Sequence, residues 1–371
     1  MTTRVLDIDL AHMRRALALA RRGQGRVEPN PMVGCVLARG LRIIAEGYHR
    51  RFGGVHAEVD ALQRAVETTR RATAYVTLEP CCYRGKTPPC TDALIRAGVA
   101  RVVAAMTDPA ELVNGKGLRR LRRSGVAVDV GLLEEKAVEL NRPYLKLVRQ
   151  GRPWVILKWA QSLDGKIASR TGDSEWISSE QSRRSVHRLR ARVDAILVGI
   201  GTVLADDPML DARGTPLRRI ATRVVLDTRL RLPERCRIVA TAGRVPALVL
   251  TSPRSLREKA RKAAGLERRG VELVPCRTVG GVLDLTAALR LLAGRRFTNV
   301  LVEGGSRLLS AFLDRRLADE AMVFVAAKLI GGSGAPTAYA GRGVSRVQDA
   351  VRVRTRVRRR GDDLLYHLFL Q

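Results

Sequence analysis

The alternation of strand and helix patterns along the whole chain constrains its fold more than any other feature. Apolar residues recur at helical spacing over residues 9–22, where Asp9 is the predicted cap and Gly23 the predicted end. Two strand patterns follow, at 32–40 and 41–49. Strands that alternate with helices imply a sheet covered by helices on both faces. The chain is therefore predicted to be an α/β protein.

The same alternation continues through both halves of the chain. In the first half, further helices are predicted at 56–67, from about 91, at 118–123 and at 132–149, and further strands at 74–78, 101–106 and 126–130. In the second half, strands are predicted at 155–159, 195–198, 222–226 and 300–303, and helices at 179–192 and 306–315.

Gly151 and Pro153 interrupt the helical pattern, which places a domain boundary near residues 148–152. We expect two domains, residues 1–148 and 149–371. The chain ends in VRVRTRVRRR and LLYHLFLQ around a Gly-Asp-Asp turn, and the strict alternation of Val and Arg predicts a half-buried strand. These two segments are predicted to pair as a C-terminal hairpin.

The composition excludes several classes of protein. Hydrophobic residues make up 46% and charged residues 28% of the 371 residues, which excludes disordered, collagen-like and low-complexity chains. No apolar run approaches the ~20 residues of a membrane helix, and the N-terminus lacks the continuous apolar core of a signal peptide. Six cysteines are too sparse for a disulfide framework. We expect a cytoplasmic protein with no membrane partner.

The net charge of +31 is unusual, and Arg outnumbers Lys 58 to 9. A localised basic patch would indicate nucleic acid as a partner. Residues 1–150 hold 26 basic and 15 acidic side chains, so the positive excess is spread nearly in proportion to length. Arginine as the default surface residue explains this spread better than an RNA-binding face. Nucleic acid is therefore not an expected partner.

Three sequence fragments point to a catalytic zinc site. They are HAEV with His56 and Glu58, EPC with Cys81, and PPC with Cys90. One imidazole and two thiolates leave the fourth position of a tetrahedral Zn²⁺ open for water, which is the catalytic arrangement. Zinc lowers the pKa of that water to ~7, and a nearby carboxylate that is not a ligand moves protons in zinc deaminases. We predict His56, Cys81 and Cys90 as zinc ligands and Glu58 as the catalytic acid–base.

Two details of these fragments leave alternatives open. Cys82 adjoins Cys81 and could serve as the ligand in its place, although Pro80 favours Cys81. Eight residues separate Cys81 from Cys90, whereas nucleic-acid deaminases show a Cys-x-x-Cys spacing. The longer loop suits a small substrate, and Lys86 within it is an expected contact. A deaminase that acts on nucleic acid is the alternative that this spacing disfavours.

With these fragments in place, the first half resembles the deaminase part of the bifunctional deaminase/reductase family of riboflavin biosynthesis. The resemblance rests on NPMVG, GYH, HAEV, YVTLEPC, GKTPPC and a DP…V…G.G pattern, over residues 8 to about 145. It implies a cytidine-deaminase-like three-layer fold and the zinc-dependent deamination of a phosphorylated pyrimidine. It also implies that Asn30, His49, Lys86 and Asp108 bind the substrate.

The second half carries two strand–glycine–helix patterns and a basic helix face. DAILVGIGT and VLVEGGSRLL each run from an apolar strand through glycines into a helix, whose N-terminus can receive a phosphate. Neither is the Gly-x-Gly-x-x-Gly fingerprint, so a Rossmann fold is not indicated. Arg183, His187 and Arg190 recur at helical spacing and form a row of cations that suits a phosphorylated substrate.

Over residues 152–371 the chain resembles the reductase part of the same family more closely. The motifs are LKWAQSLDGKIA, TGDSEWIS, VHRLRARVDAILVGIGTVLADDP, LVEGG and LIGGSGAP. They imply a dihydrofolate-reductase-like α/β fold that uses NADPH. The substrate contacts implied by the family are Ser174, Arg190, Leu210, Arg213 and Glu303. The implied cofactor contacts are Ala160, Trp176, Thr202, Asp206, Thr228 and Gly305, with Lys158 on the strand that enters that site.

The sequence as a whole predicts a two-step enzyme. The first half removes the 2-amino group of a diamino-(phosphoribosylamino)pyrimidinone, and the second half reduces the ribosyl group to ribityl with NADPH. We expect small phosphorylated pyrimidines as substrates and a homo-oligomer, dimer or larger. A reductase whose zinc module is only structural is the second alternative. It stays open because the deaminase pocket departs from the family's pattern at Tyr83, Arg84, Ala110 and Glu111.

Overall fold

A computed structural model describes residues 3–85 and 88–370 of the chain. The chain divides into two units, Met1–Gly151 and Arg152–Gln371. Among the described residues, no helix has both the length and the apolar character that are needed to cross a membrane.

The first unit is built on a five-stranded sheet with the order β2-β1-β3-β4-β5. The strands are β1 Gly34–Arg39, β2 Arg42–Tyr48, β3 Thr73–Val76, β4 Arg101–Ala104 and β5 Ala127–Val130. The first strand is antiparallel to both of its neighbours, whereas β3, β4 and β5 run parallel. The helices are α1 Thr3–Ala20, α2 Ala57–Arg64, α3 Cys90–Arg96, α4 Lys116–Arg123 and α5 Glu134–Gln150.

Helices cover both faces of this sheet, as the alternation of patterns predicts. Alternate residues of a strand point to opposite faces. Val36 of β1 packs with Met13 of α1 on one face, where α5 also lies. Its neighbour Leu37 packs with Leu94 of α3 and Leu121 of α4 on the other face, which α2 also covers. The first unit is therefore a three-layer α/β/α structure, as predicted.

The predicted role of Asp9 as a helix cap is wrong. The first helix begins before Asp9 and ends at Ala20, followed by a short 3₁₀ turn. The buried Asp9 carboxylate accepts hydrogen bonds from the Tyr75 hydroxyl at 2.6 Å and from the Arg101 guanidinium at 2.8 and 3.1 Å. Burial alone would raise the pKa of Asp9, but the bonds from Arg101 and Tyr75 outweigh burial and lower the pKa. Asp9 thus ties the first helix to β3 and β4.

The second unit contains a nine-stranded sheet with the order β10-β9-β8-β7-β13-β6-β14-β16-β15 and a two-stranded ribbon of β11 and β12. Its strands are β6 Trp154–Ser162, β7 Ala195–Gly199, β8 Thr222–Leu226, β9 Ala247–Thr251, β10 Val271–Pro275, β11 Thr278–Val279, β12 Val282–Leu283, β13 Asn299–Glu303, β14 Glu320–Ala326, β15 Arg354–Arg360 and β16 Asp363–Phe369. In the order of the large sheet, the seven strands from β10 across to β14 run parallel to one another. The last two strands of that order, β16 and β15, are antiparallel to their neighbours.

Helices also cover both faces of the large sheet. They are α6 Glu180–Arg190, α7 Ile200–Asp206, α8 Arg237–Ala240, α9 Pro253–Glu258, α10 Ala260–Arg268, α11 Leu285–Gly294 and α12 Ser306–Asp314. Ile196 of β7 packs against Leu189 of α6, and the next residue, Leu197, packs with Phe312 of α12 on the opposite face. Because the strands are parallel, their carboxyl ends lie at one edge of the sheet. At this edge α7 and α12 begin, and the last residue of α6 contacts the last residue of β13.

The C-terminal hairpin is confirmed, but its first strand is not half-buried. β15 pairs antiparallel with β16 along its full length. Residues 354–359 are exposed, and Val357 keeps 50% of its surface accessible, because β15 is the outer edge of the sheet. Arg354 and Arg356 place their guanidinium groups 5.0 and 5.2 Å from the centre of the Phe369 ring instead. The alternation of Val and Arg therefore predicted the strand correctly but not the exposure of its side chains.

Candidate active sites

The structure brings the three predicted zinc ligands together. His56 precedes the first residue of α2, Cys90 is the first residue of α3, and Cys81 lies in the loop after β3. His56 Nδ1 is 3.4 Å from Cys81 Sγ and 3.3 Å from Cys90 Sγ. All three ligand atoms lie within 4.8 Å of one another. Two helix N-termini thus deliver an imidazole and a thiol to one point, where their partial positive charge favours thiolates.

These distances fit zinc. Bonds of ~2.3 Å to sulfur and ~2.0 Å to nitrogen in a tetrahedral site place ligand atoms roughly 3.5–3.8 Å apart, close to the observed 3.3 and 3.4 Å. The Cys90 hydrogen bond, followed by that of His56, lowers the pKa of Cys81, while the same bond and burial raise the pKa of Cys90.

Cys82 does not join this group. Its thiol points to the carbonyl oxygen of Leu112, with a sulfur–oxygen distance of 3.8 Å, and the group of ligand atoms contains Cys81. Tyr83 follows with 41% of its surface exposed. Lys86, the predicted substrate contact on this loop, lies outside the described residues, so its role stays a prediction.

Glu58 lies in the first turn of α2, two residues beyond the ligand His56, and only 3% of its surface is exposed. Burial, followed by the charge of the Cys81 thiolate, raises the pKa of Glu58 to about 7. A carboxyl group whose pKa lies near the working pH can both accept and donate a proton. Its placement therefore fits the predicted acid–base role.

Two predicted substrate residues, Asn30 and His49, contact each other beside the ligands. His49 Nδ1 lies 2.9 Å from the Val55 carbonyl oxygen and so carries the proton, which leaves Nε2 to accept from the Asn30 amide at 3.3 Å. Burial lowers the pKa of His49. The His49 and His56 rings meet edge to face at 5.4 Å. The structure therefore places a neutral imidazole and an amide at the edge of the metal site.

The predicted contact Asp108 is held in place by its neighbours. Its Oδ1 accepts hydrogen bonds from the Tyr144 hydroxyl at 2.8 Å and from the Ala110 backbone amide at 2.9 Å. Burial raises the pKa of Asp108. Tyr144 was not predicted from the sequence, because it lies on α5, far along the chain from Asp108.

Glu79 is a second residue that sequence reasoning missed. Its buried carboxylate accepts backbone hydrogen bonds from Asp108, Gly115, Gly117 and Leu118, at 2.8–3.3 Å. A Cβ atom on Gly117 would lie 2.1 Å from the backbone oxygen of the residue after Glu79, so only glycine fits there. The glycine pair in the DP…V…G.G pattern was the available signal. Glu79 therefore fixes the loop that carries Asp108.

In the second unit, two glycine turns meet at the carboxyl edge of the sheet. α7 begins after Gly199 at the end of β7, and α12 begins after Gly305 at the end of the neighbouring strand β13. A Cβ atom on Gly304 would lie 3.0 Å from the Thr202 hydroxyl oxygen, so the two turns lie side by side. Thr228 follows β8, the next strand in the sheet. Three of the predicted cofactor contacts, Thr202, Thr228 and Gly305, therefore lie along one edge.

Arg190, Glu303 and Lys158 form a buried charged cluster at the same edge. Arg190 binds Glu303 through two bonds, Nε to Oε1 at 2.7 Å and Nη2 to Oε2 at 2.9 Å. Lys158 Nζ lies 3.9 Å from Glu303 Oε2, because β6 and β13 pair these two residues. Burial alone would raise the pKa of Glu303, but Arg190 and then Lys158 lower it to about 2. Lys158, predicted as a cofactor contact, thus lies beside a predicted substrate residue.

Leu210 and Arg213 lie on a loop that contacts α6. Leu210 is buried with a φ of 52°, a conformation that non-glycine residues rarely adopt. The Arg213 side chain keeps 60% of its surface exposed and places Nε 3.2 Å from Asp211 Oδ1. Arg190 Nη1 donates to the Asp211 carbonyl oxygen at 3.2 Å, and the Arg213 amide donates to His187 Nδ1 at 3.1 Å.

Of the three residues in the predicted row of cations on α6, Arg183 is held by other groups, and its role toward a ligand stays a prediction. Its guanidinium lies 4.5 Å from the centre of the Trp176 ring and donates to the Ser178 carbonyl oxygen at 2.7 Å. The exposed Trp176 ring attracts the guanidinium, a contact that helical spacing alone does not predict. Lys328 Nζ, which the sequence did not single out, donates to the Trp176 carbonyl oxygen at 2.8 Å.

The remaining predicted contacts lie on β6, on α7 and in the segment before α6. Ala160 is half-buried on β6, and the exposed Ser174 lies in the segment between β6 and α6. Asp206 is the last residue of α7, and burial, followed by the charge of Glu175, raises its pKa. Their roles toward a ligand stay predictions.

Two family models match the chain, one for each unit. The cytidine and deoxycytidylate deaminase zinc-binding region matches residues 6–106, and the RibD C-terminal domain matches residues 153–365. The predicted fold class is confirmed: a cytidine-deaminase-like three-layer domain and a dihydrofolate-reductase-like α/β domain.

Similar proteins match over almost the whole length. The riboflavin biosynthesis protein RibD of Aquifex aeolicus is 40% identical over 97% of this chain and 98% of its own. RibD of Escherichia coli is 41% identical over 97% and 99%. The solved structure of Acinetobacter baumannii RibD has a TM-score of 0.87 at 36% identity. A deaminase/reductase from Thermotoga maritima has the same TM-score at 37% identity, and both structures match over 99% of each chain.

Proposed function

Because this chain belongs to the RibD family of bifunctional riboflavin biosynthesis enzymes, we propose that its two units perform successive steps at the two sites described above. The first unit deaminates 2,5-diamino-6-(5-phosphoribosylamino)pyrimidin-4-one with zinc. The second reduces the resulting 5-amino-6-(5-phosphoribosylamino)uracil with NADPH. We place the boundary between the two catalytic domains at residues 148–152, which includes the split after Gly151.

Each residue of the deaminase site has one role in this proposal. His56, Cys81 and Cys90 would hold zinc, which would act as the Lewis acid that activates water. Glu58 takes a proton from that water and gives it to the departing amino nitrogen. The C2–nitrogen bond breaks, ammonia leaves, and the oxygen of water becomes the new carbonyl at C2. The single observation that carries this half is the convergence of His56 and Glu58 at the start of α2 with Cys90 at the start of α3 and Cys81 in the loop after β3.

Asn30, His49, Lys86 and Asp108 orient the pyrimidine in this proposal. The amide of Asn30 and the imidazole of His49 are neutral, so they suit the uncharged ring nitrogens and oxygen of the substrate. Asp108 can accept a bond from an amino group of the pyrimidine. Lys86 supplies the charge that a phosphate or carbonyl oxygen requires.

The reductase uses the carboxyl edge of the large sheet. NADPH supplies a hydride, which is delivered to C1′ of the ribose while the ring oxygen leaves C1′ and takes up a proton. Arg190, Glu303 and Lys158 lie together at this edge, so a proton donor, an acceptor and a fixed cation are available to the sugar. Arg213, with its exposed guanidinium, and Ser174 face the substrate phosphate in this proposal.

The two glycine turns would hold the cofactor. The helix N-termini after Gly199 and Gly305 offer backbone N–H groups to its phosphates. Thr202 and Thr228 supply hydroxyls along the same edge, Ala160 and Asp206 complete the lining, and Trp176 offers an exposed ring for stacking.

We further propose that the enzyme acts in the cytoplasm as a homo-oligomer. Two thiols that hold zinc must stay reduced, and the cytoplasm maintains that state. The exposed strand β15 is the outer strand of the large sheet, and an edge strand can pair with a strand of a second chain. A sedimentation measurement on the purified protein gives the number of chains directly.

One incubation tests both activities. Zinc-loaded full-length protein is mixed with the diaminopyrimidinone, first without and then with NADPH. We expect one ammonia per substrate in the first reaction, and in the second one NADPH oxidised per ribityl product formed. Zinc binding with no ammonia release would replace the deaminase by a structural zinc module. Ammonia release with no NADPH oxidation would remove the reductase assignment.

A further inference from the structure

We propose that His187 is a positioning residue of the reductase, which holds the 210–213 loop in place by accepting a hydrogen bond from the Arg213 backbone at Nδ1. The inference rests on the proposed function, since Leu210 and Arg213 of this loop are expected substrate contacts. His187 itself has no role in the mechanism above. It acts through the loop.

The 210–213 loop is in a conformation that needs external support. Leu210 is buried at a φ of 52°, in the left-handed region that favours glycine. Two side chains of α6 bind the backbone that follows. Arg190 Nη1 donates to the Asp211 carbonyl oxygen at 3.2 Å, and His187 Nδ1 accepts from the Arg213 amide at 3.1 Å. The helix that carries the substrate cation Arg190 therefore also sets the position of Arg213.

The His187 ring faces two competing partners at the same nitrogen. The Arg213 amide lies 3.1 Å from Nδ1 and requires a lone pair there, while the Asp211 carbonyl oxygen lies 3.3 Å away and requires a proton. A ring nitrogen offers one or the other. The neutral ring with its proton on Nε2 binds Arg213. A ring protonated at Nδ1 donates to Asp211 and releases Arg213.

The charges around His187 keep the ring in the neutral form. Burial lowers its pKa first, and the cations Arg190 and Arg213 lower it further, against a smaller opposite effect of Asp211. Glu303 on β13 also interacts with the ring electrostatically, although Arg190 already neutralises that carboxylate. The ring is therefore neutral at neutral pH, and the shorter of the two distances, 3.1 Å to the Arg213 amide against 3.3 Å to the Asp211 carbonyl oxygen, assigns the Nδ1 lone pair to Arg213.

Three substitutions in the full-length protein separate this role from others. His187→Ala removes the acceptor and is expected to raise the KM for the deaminated substrate about threefold to tenfold, the range of one hydrogen bond. The KM for NADPH and kcat should change less than twofold. In His187→Asn the side-chain oxygen takes the place of Nδ1 and should restore the substrate KM. In His187→Gln the amide takes the place of Nε2 and should not.

A pH profile adds a readout that a purely structural residue would not change. In the wild type the substrate KM should rise as the pH falls through the pKa of His187, below the ordinary ~6.5, because protonation releases Arg213. In His187→Asn this rise should disappear. An unchanged substrate KM in His187→Ala would overturn the proposal, and rescue by Gln but not Asn would show direct contact through Nε2 instead. A wild type that never oxidises NADPH would refute the proposed function itself.

Discussion

Arg190 on α6 and Glu303 on β13 form a two-point ion pair, with nitrogen–oxygen distances of 2.7 and 2.9 Å. Their side chains keep only 13% and 9% of their surface exposed. A buried ion pair fixes the relative position of its two side chains. Removal of one partner leaves the other charge buried without compensation, which strongly destabilises the fold. The pair also joins the helix that carries His187 to the strand that leads into the glycine turn before α12. Substrate binding and stability are therefore linked at this point.

Replacement of Arg190 tests that link. Arg190→Ala leaves Glu303 buried with Lys158 as its nearby cation, so we expect the free energy of unfolding to fall by about 3 kcal/mol. We also expect the substrate KM to rise about tenfold or more, because a charge-assisted contact is lost, with a smaller change for NADPH. Chemical denaturation and steady-state kinetics measure the two effects.

A matched control lies on the same helix. Arg184 pairs with Glu180 at 3.2 Å, but the two side chains keep 55% and 71% of their surface exposed. Arg184→Ala should change stability by less than about 1 kcal/mol and leave both KM values unaltered. Equal weakening toward substrate and NADPH in Arg190→Ala would assign Arg190 to the fold or the cofactor.

Glu79→Gln is expected to impair the deaminase without loss of zinc. The carboxylate holds four backbone amides of the loop that carries Asp108, and a neutral amide cannot accept all four bonds. The substrate KM for deamination should rise severalfold while zinc content, measured by elemental analysis, stays at one per chain. Glu135→Gln, an exposed change in the first turn of α5, serves as the control. Loss of zinc in Glu79→Gln would show that Glu79 supports the metal site instead.

Tyr83→His should lower the KM of the deaminase. Tyr83 stands where the resembled family has His, and its phenol provides one hydrogen bond but no positive charge at neutral pH. A phosphorylated substrate gains from an added imidazole at this partly exposed position. Initial rates of ammonia release over a range of substrate concentrations give the answer. An unchanged or raised KM would mean that Tyr83 does not face the substrate.

A fragment that starts at Arg152 should reduce the deaminated substrate with NADPH. The second unit contains its own nine-stranded sheet and core, and every predicted reductase contact lies within it. The kinetic constants should lie within about twofold of those of the full chain. An insoluble or inactive fragment would show that the reductase depends on the first unit to fold.

Local patterns predicted most elements, and they selected the three side chains that the structure brings together as candidate zinc ligands. β8 occupies residues 222–226 as predicted, because a strand that is buried on both faces of a parallel sheet is visible in the sequence as an apolar run. His56 and Cys90 could be paired from sequence because both precede or begin a helix, and the ligand types limit the chemistry.

Features that depend on contacts between residues far apart in the chain could not be predicted from the sequence. Asp9 has the chemistry of a cap, but its partners lie on β3 and β4, which no local pattern reveals. Arg183 turns to Trp176 because an exposed ring competes for the guanidinium. Glu79 lies next to a predicted zinc ligand in the sequence, yet its carboxylate accepts hydrogen bonds from a loop about thirty-five residues later. The exposure of β15 follows from its place at the edge of the sheet.

The central claim is that two independent chemistries share this chain, and Glu58→Gln tests it most directly. One preparation of this variant is assayed for zinc content, ammonia release and NADPH oxidation with the deaminated substrate. We expect one zinc per chain, ammonia release reduced by about 10²–10⁴-fold through loss of the acid–base group, and unaltered NADPH oxidation. His56→Ala should instead lose the metal. Ammonia release above a tenth of the wild-type rate in Glu58→Gln would contradict the assignment of the deaminase site.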